Sequence, residues 1–255
     1  MTNFSATFKA LWWPKFRIAN WILGLYGLMV VASVGLTGFS EGWGKVDLAN
    51  STMGVGFGLG TVVFIWLAFH TEHDLTRDSY RLLPVTDTRL YLTSLLTSFV
   101  AFGYFVAVKA LVMGLGFLAG HASDLHGVLV QVWQGGQAAM GERHFFEMVL
   151  YTTLFIVVLI LWMWVMITLI HLLTTALSAV LPNVQQRIVR FILAVVVIVA
   201  LIWMGKWLLQ LAGPIVSGVS NNAAIALSLG ILTAVTAVMA AVNVYLLQHW
   251  VEARY

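Results

Sequence analysis

Long apolar runs dominate this chain, and its polar residues fall between them. The runs cover positions 18–38, 52–70, 90–120, 148–177, 191–211 and 223–249. A helix of about 20 apolar residues is long enough to cross the hydrocarbon of a bilayer. It also satisfies its own backbone N–H and C=O groups, which hydrocarbon cannot do. The pattern predicts an all-α, polytopic membrane protein with six transmembrane helices. The runs at 90–120 and 148–177 exceed the hydrocarbon thickness and predict tilt or extension beyond it.

Composition supports the same class. Of 255 residues, 61% are hydrophobic and only 9% charged, with a mean hydropathy of +0.94. Soluble domains carry about 25% charged residues, so an ordinary soluble fold is excluded. Cysteine is absent, which removes disulfides and thiolate metal sites. The net charge of +3 is spread along the edges of the runs rather than clustered, a pattern that does not suit nucleic acid.

The cations set an orientation. With both termini in the cytoplasm, Lys9, Lys15, Arg17, Arg77, Arg81, Arg89, Arg187, Arg190 and Arg254 lie inside, against Lys45 and Arg143 outside. That is the bias expected of cytoplasmic loops. Lys109 and Lys206 fall late in outward-running spans, where long side chains snorkel to the interface. Residues 1–17 interleave Phe4, Phe8, Leu11 and Trp12 with Lys9, Lys15 and Arg17. This reads as a short amphipathic helix in the interface, ended or bent by Pro14 before the first span, with simple anchor residues as the alternative. No small-residue cleavage site follows it, so it is not read as a removable signal. The whole chain reads as one membrane domain, with an outer loop at 121–147.

Motif by motif, little chemistry is visible. No phosphate-binding loop occurs; Gly44-Lys45 lacks the preceding glycine and the following hydroxyl. Gly114, Gly116 and Ala119 match a dinucleotide fingerprint by letter but lie inside an apolar run. Gly54, Gly56, Gly58 and Gly60 have the small-residue spacing of a helix–helix or dimer seam, with ordinary intramolecular packing or a hinge as the alternatives. His70 and His73 share a face beside Glu72 and Asp74 but lack a clear third ligand, so no metal site is assigned. No Asp or Glu lies inside a predicted span, which argues against an ion-coupled carrier or an intramembrane hydrolase. Trp203 and Trp207 fall on one face near Lys206 and Gln210. With Lys109 they are candidates for a translocation path, although lipid-facing or packed aromatics are the simpler explanation.

The exception is the segment 71–89, which concentrates Glu72, Asp74, Arg77, Asp78, Arg81, Asp87 and Arg89. Pro84 punctuates it, and Leu82 and Leu83 offer apolar anchors among charges that would orient a soluble partner. Arg81-Leu82-Leu83-Pro84-Val85-Thr86, preceded by Glu72 and followed by Arg89-Leu90-Tyr91-Leu92, resembles the loop after the second span of type-2 ABC exporter permeases. The layout of the chain is similar throughout, the motif over about 25 residues; Thr93-Ser94 stands where that family often carries Gly-Lys.

The resemblance implies a permease subunit in a bacterial cell membrane, driven by a separate cytoplasmic ABC ATPase that binds ATP and Mg, with this chain holding no cofactor. It implies a second permease copy or paralogue. It also implies export of a peptide, lipid-like or other amphipathic substrate, as in antimicrobial-peptide export or immunity. Glu72, Asp74, Arg77, Asp78, Arg81, Leu82, Leu83 and Pro84 would contact the ATPase, and Arg187 in the next inner loop would add a second contact. A membrane enzyme subunit, or a non-transporting immunity or assembly protein, remains the alternative.

Overall fold

The computed structural model describes residues 4–43, 46–55, 57–76, 85–120, 142–180 and 222–250, together with single positions between 126 and 135 and between 192 and 210. Six α-helices are bounded in it: α1 (Phe4–Glu41), α2 (Leu48–Val55), α3 (Phe57–Thr76), α4 (Asp87–Gly120), α5 (Glu142–Val180) and α6 (Asn222–Trp250). No strand occurs among the described residues. Among the described residues, five stretches are long and apolar enough to cross a membrane: Phe4–Glu41, Asn50–Leu75, Asp87–Gly120, Val149–Thr174 and Ile225–His249. Of the run expected at 191–211, only Ile192, Val196, Val199, Trp203, Lys206, Trp207 and Gln210 are described, each helical. The chain falls into two compact units, Met1–Trp133 and Gln134–Tyr255.

In the first unit α4 packs against α1, α2 and α3. Leu11, Ala19, Ile22 and Tyr26 form the buried side of α1, at the three- and four-residue spacing that one helix face requires. Val63, Phe64, Leu67, Ala68 and Leu75 do the same on α3, and Leu90, Tyr91, Ala101 and Phe105 on α4. The Tyr26 hydroxyl donates to the Thr52 carbonyl at 2.9 Å, tying α1 to α2.

One expectation needs correction here. The interfacial helix expected over 1–17 is not separate: α1 runs unbroken for 38 residues with Pro14 inside it. Proline removes one hydrogen bond to the preceding turn. Burial of Leu11 and Lys15 and ring contacts from Phe8 to Trp12 and Trp12 to Phe16 bridge that position. Gly54, Gly58 and Gly60 make no close approach within this unit. A Cβ added at Gly54, Gly58 or Gly60 would meet nothing within 4 Å. The close approach is at Gly116 on α4, where a Cβ would lie 2.7 Å from Thr52 Oγ1 and 3.0 Å from the Leu48 carbonyl oxygen of α2.

The second unit is built on α5 against α6. Trp162, Met166 and Leu232 form its buried cluster, flanked by Phe155, Val158, Leu159, Ile170, Trp207 and Met239. Asn243 Nδ2 donates to the Val165 carbonyl at 2.9 Å, joining the two helices.

Candidate functional site: a buried ion pair beside the charged segment

Three helices of the first unit converge on Lys15. Its phase on α1 matches that of Leu11 and Ile22, so the helix carries its ammonium group into the packed side, where the residue is 0% exposed. Nζ lies 3.0 Å from Asp74 Oδ2 on α3. It donates to the Ser94 carbonyl, Ser94 Oγ and Thr97 Oγ1 on α4, each at 2.9 Å. An ammonium has three protons, so the four acceptors share them and none is left without a partner. Ser94 Oγ in turn donates to Asp74 Oδ2 at 3.2 Å, and Thr97 Oγ1 donates to the Ser94 carbonyl at 2.9 Å. One turn further along α3, Thr71 Oγ1 donates to the Leu67 carbonyl at 2.9 Å. Its 2.6 Å contact with Ser98 Oγ is therefore donated by Ser98.

A charge removed from water costs several kcal/mol unless a counter-charge and hydrogen bonds replace the lost hydration. Here both replacements are present, and every contact of the Lys15 ammonium group crosses between helices. The cluster fixes the rotation of α1 and α3 against α4.

The cluster abuts the segment singled out in the sequence. Asp74 belongs to that segment, yet its carboxylate faces inward to Lys15 and Ser94 rather than outward to a partner. Glu72, two residues earlier, is half-buried on α3. The rings of His70 and His73 stack with centroids 6.3 Å apart, and no group of three His, Asp or Glu able to hold a metal occurs among the described residues. Arg77, Asp78, Arg81, Leu82, Leu83, Pro84 and Arg187 lie outside the described residues. Of the path candidates, Lys109 is half-buried on α4 in the first unit. In the second unit Trp203, Lys206 and Gln210 are exposed, and Trp207 packs against the Trp162 cluster.

Reading Lys15 as an edge anchor missed its role. Two signals pointed to it. Lys15 keeps the helical phase of its apolar neighbours, and Thr93, Ser94, Thr97 and Ser98 form a hydroxyl face at the start of an apolar run. Thr93-Ser94 departs from the pattern of the family that the segment resembles, and Ser94 is a direct partner of the buried cation. No protein-family model matches the chain, and no curated protein or solved structure does either.

Proposed function

We propose that this chain is the transmembrane permease subunit of an ATP-driven ABC exporter, powered by a separate ATPase and moving a peptide, lipid-like or other amphipathic substrate. The observation that carries the reading is the placement of the Lys15 cluster. Asp74 lies within the charged segment, just before residues 77–84, and Ser94 and Thr97 lie just after the segment. A soluble motor that pulls on residues 77–84 needs a rigid attachment to the membrane helices. The cluster supplies one, because movement at either end of the segment is delivered to α1, α3 and α4 together. The charge bias of the sequence puts this end of the helices in the cytoplasm, where ATP is available.

In this reading Glu72, Arg77 and Arg81 set the register of the ATPase and Leu82 and Leu83 seat in a groove on it. Asp74 acts from within as the anchor. The test is affinity purification of the tagged full chain from its own cell, followed by identification of co-purifying P-loop ATPases and assay of their activity. A single ABC ATPase is expected at near-stoichiometric amount, and it is expected to be lost from the Glu72→Lys/Arg81→Glu/Leu83→Asp variant at matched expression. Absence of any such ATPase, or its full retention by the triple variant, would overturn the proposal.

A further inference from the structure

The first turns of α1 carry a second feature that the ion pair leaves unused. Thr7, Leu11, Lys15 and Ala19 are buried along one side of the helix. Lys9, Trp13 and Arg17, spaced four residues apart, are exposed, Trp13 to 61%. At 3.6 residues per turn the two stripes lie about half a turn apart. Between them runs a column of rings, Phe4, Phe8, Trp12 and Phe16, closed by Tyr104 of α4. Successive centroids are 6.4, 6.1, 5.3 and 5.0 Å apart. Trp13 joins the column through Phe16 at 6.1 Å. With the Lys15 bonds, the column prevents α1 from rolling, and so holds the cationic stripe outward.

Depth and charge indicate what the stripe meets. Lys15 shares a level with Asp74 and Ser94, where the apolar run on α3 has already ended at His70 and that on α4 is beginning. Trp13 and Arg17 lie within one turn of that level, at the edge of the hydrocarbon, where indole rings are favoured. No ion pair to Lys9 or Arg17 occurs among the described residues, and no acidic residue precedes Glu41 in the sequence. Two cations with no carboxylate partner among the described residues, flanking an indole at the headgroup level, complement a surface of phosphates.

We infer that Lys9, Trp13 and Arg17 form a docking stripe for anionic phospholipid headgroups. Lys9 and Arg17 are two turns apart, about 12 Å along the axis, so they make separate phosphate contacts on either side of the indole. The stripe does not depend on the permease reading; it requires only that α1 cross a bilayer.

The full chain, reconstituted in phosphatidylcholine bilayers, is probed with trace spin-labelled phosphatidylglycerol or phosphatidylcholine. The motionally restricted fraction of each label gives their relative affinity. Wild type is expected to prefer phosphatidylglycerol by at least about fivefold at low salt, the contribution of one exposed cation. Lys9→Gln/Arg17→Gln is expected to remove most of that preference. Lys9→Arg/Arg17→Lys is expected to keep it, and so is Lys109→Gln. Replacing chloride by inorganic phosphate at equal ionic strength is expected to change nothing, whereas a site for free phosphate would lose its lipid preference. The inference is overturned by absence of preference in wild type, by its persistence in the double glutamine variant, by its loss in the charge-conserving variant, or by displacement with inorganic phosphate.

Discussion

The two units centre on opposite kinds of contact. The first has a cation, a carboxylate and several hydroxyls where α1, α3 and α4 meet. The second has Trp162, Met166 and Leu232 at its centre, with Asn243 donating to the Val165 carbonyl between its helices. In a bilayer, apolar side chains gain little by leaving lipid for protein, so association rests on close packing and on polar bonds. The first unit uses bonds with direction, which permit one rotation of each helix. The second uses shape, which tolerates adjustment. They should therefore fail differently: the first by stranding a charge, the second by opening a cavity.

The largest effect is expected at the ion pair. Lys15→Met leaves the Asp74 carboxylate buried without its cation, and Asp74→Leu strands the ammonium. Removing one partner of a buried pair costs about 3–5 kcal/mol, whereas replacing both by apolar residues of similar volume is often neutral. Equilibrium unfolding of the full chain in mild detergent, titrated with a denaturing one, should show both single variants strongly destabilised. Lys15→Met/Asp74→Leu should recover most of the loss. A double variant as damaged as the sum of the singles would show that the two charges act independently.

This pair also marks how far the sequence could be read. Helix positions followed directly from apolar run length: the run at 223–249 became α6, Asn222–Trp250, and that at 90–120 became α4, Asp87–Gly120. Hydrocarbon imposes that correspondence. Contacts between helices were not legible, because nearly every residue of a span is apolar whichever way it faces. Lys15 counted as one more cation at a membrane edge, although its phase put it inside. Gly54, Gly58 and Gly60 had the spacing of a seam and open space around them, while Gly116 took the close approach. Spacing shows what a helix permits; the partner that uses the opportunity is set by the other chain segments. The charged segment was visible at once. The inward turn of Asp74 was not, since it depends on where α1 lies.

In the second unit the expected effect is smaller and graded. Leu232 is fully buried against Trp162 and Met166. Leu232→Ala should cost about 2 kcal/mol, the low end for such a truncation, because the cavity remains while the missing atoms lose little by exchanging protein for lipid. Leu232→Met conserves volume and should cost less than about 1.5 kcal/mol. The same unfolding titration distinguishes them. Equal losses for alanine and methionine would mean that this core is as exacting as the ion pair, and the contrast between the units would fall.

The smallest expected effects compare single hydrogen bonds across the two units. Interhelical bonds of this kind in membrane proteins average about 0.6 kcal/mol and reach about 1.7. Asn243→Leu removes the bond to the Val165 carbonyl. That oxygen keeps its helical bond from the Leu169 N–H, so nothing on α5 is orphaned, and the cost should sit near the average. Thr71→Val removes the acceptor of Ser98. Ser98 would then turn to the carbonyl one helical turn back, that of Ser94, which already accepts from Lys15 and Thr97. Crowding on that oxygen passes the loss into the ion-pair cluster, so Thr71→Val should sit at the upper end of the range. It should also cost less when made in Lys15→Met/Asp74→Leu, where the Lys15 claim on that carbonyl is gone. Each variant is measured by the same titration, with Lys15→Met/Asp74→Leu as the second background. If Thr71→Val costs no more than Asn243→Leu, and costs the same in both backgrounds, the polar centre of the first unit is a set of separate bonds rather than a connected one.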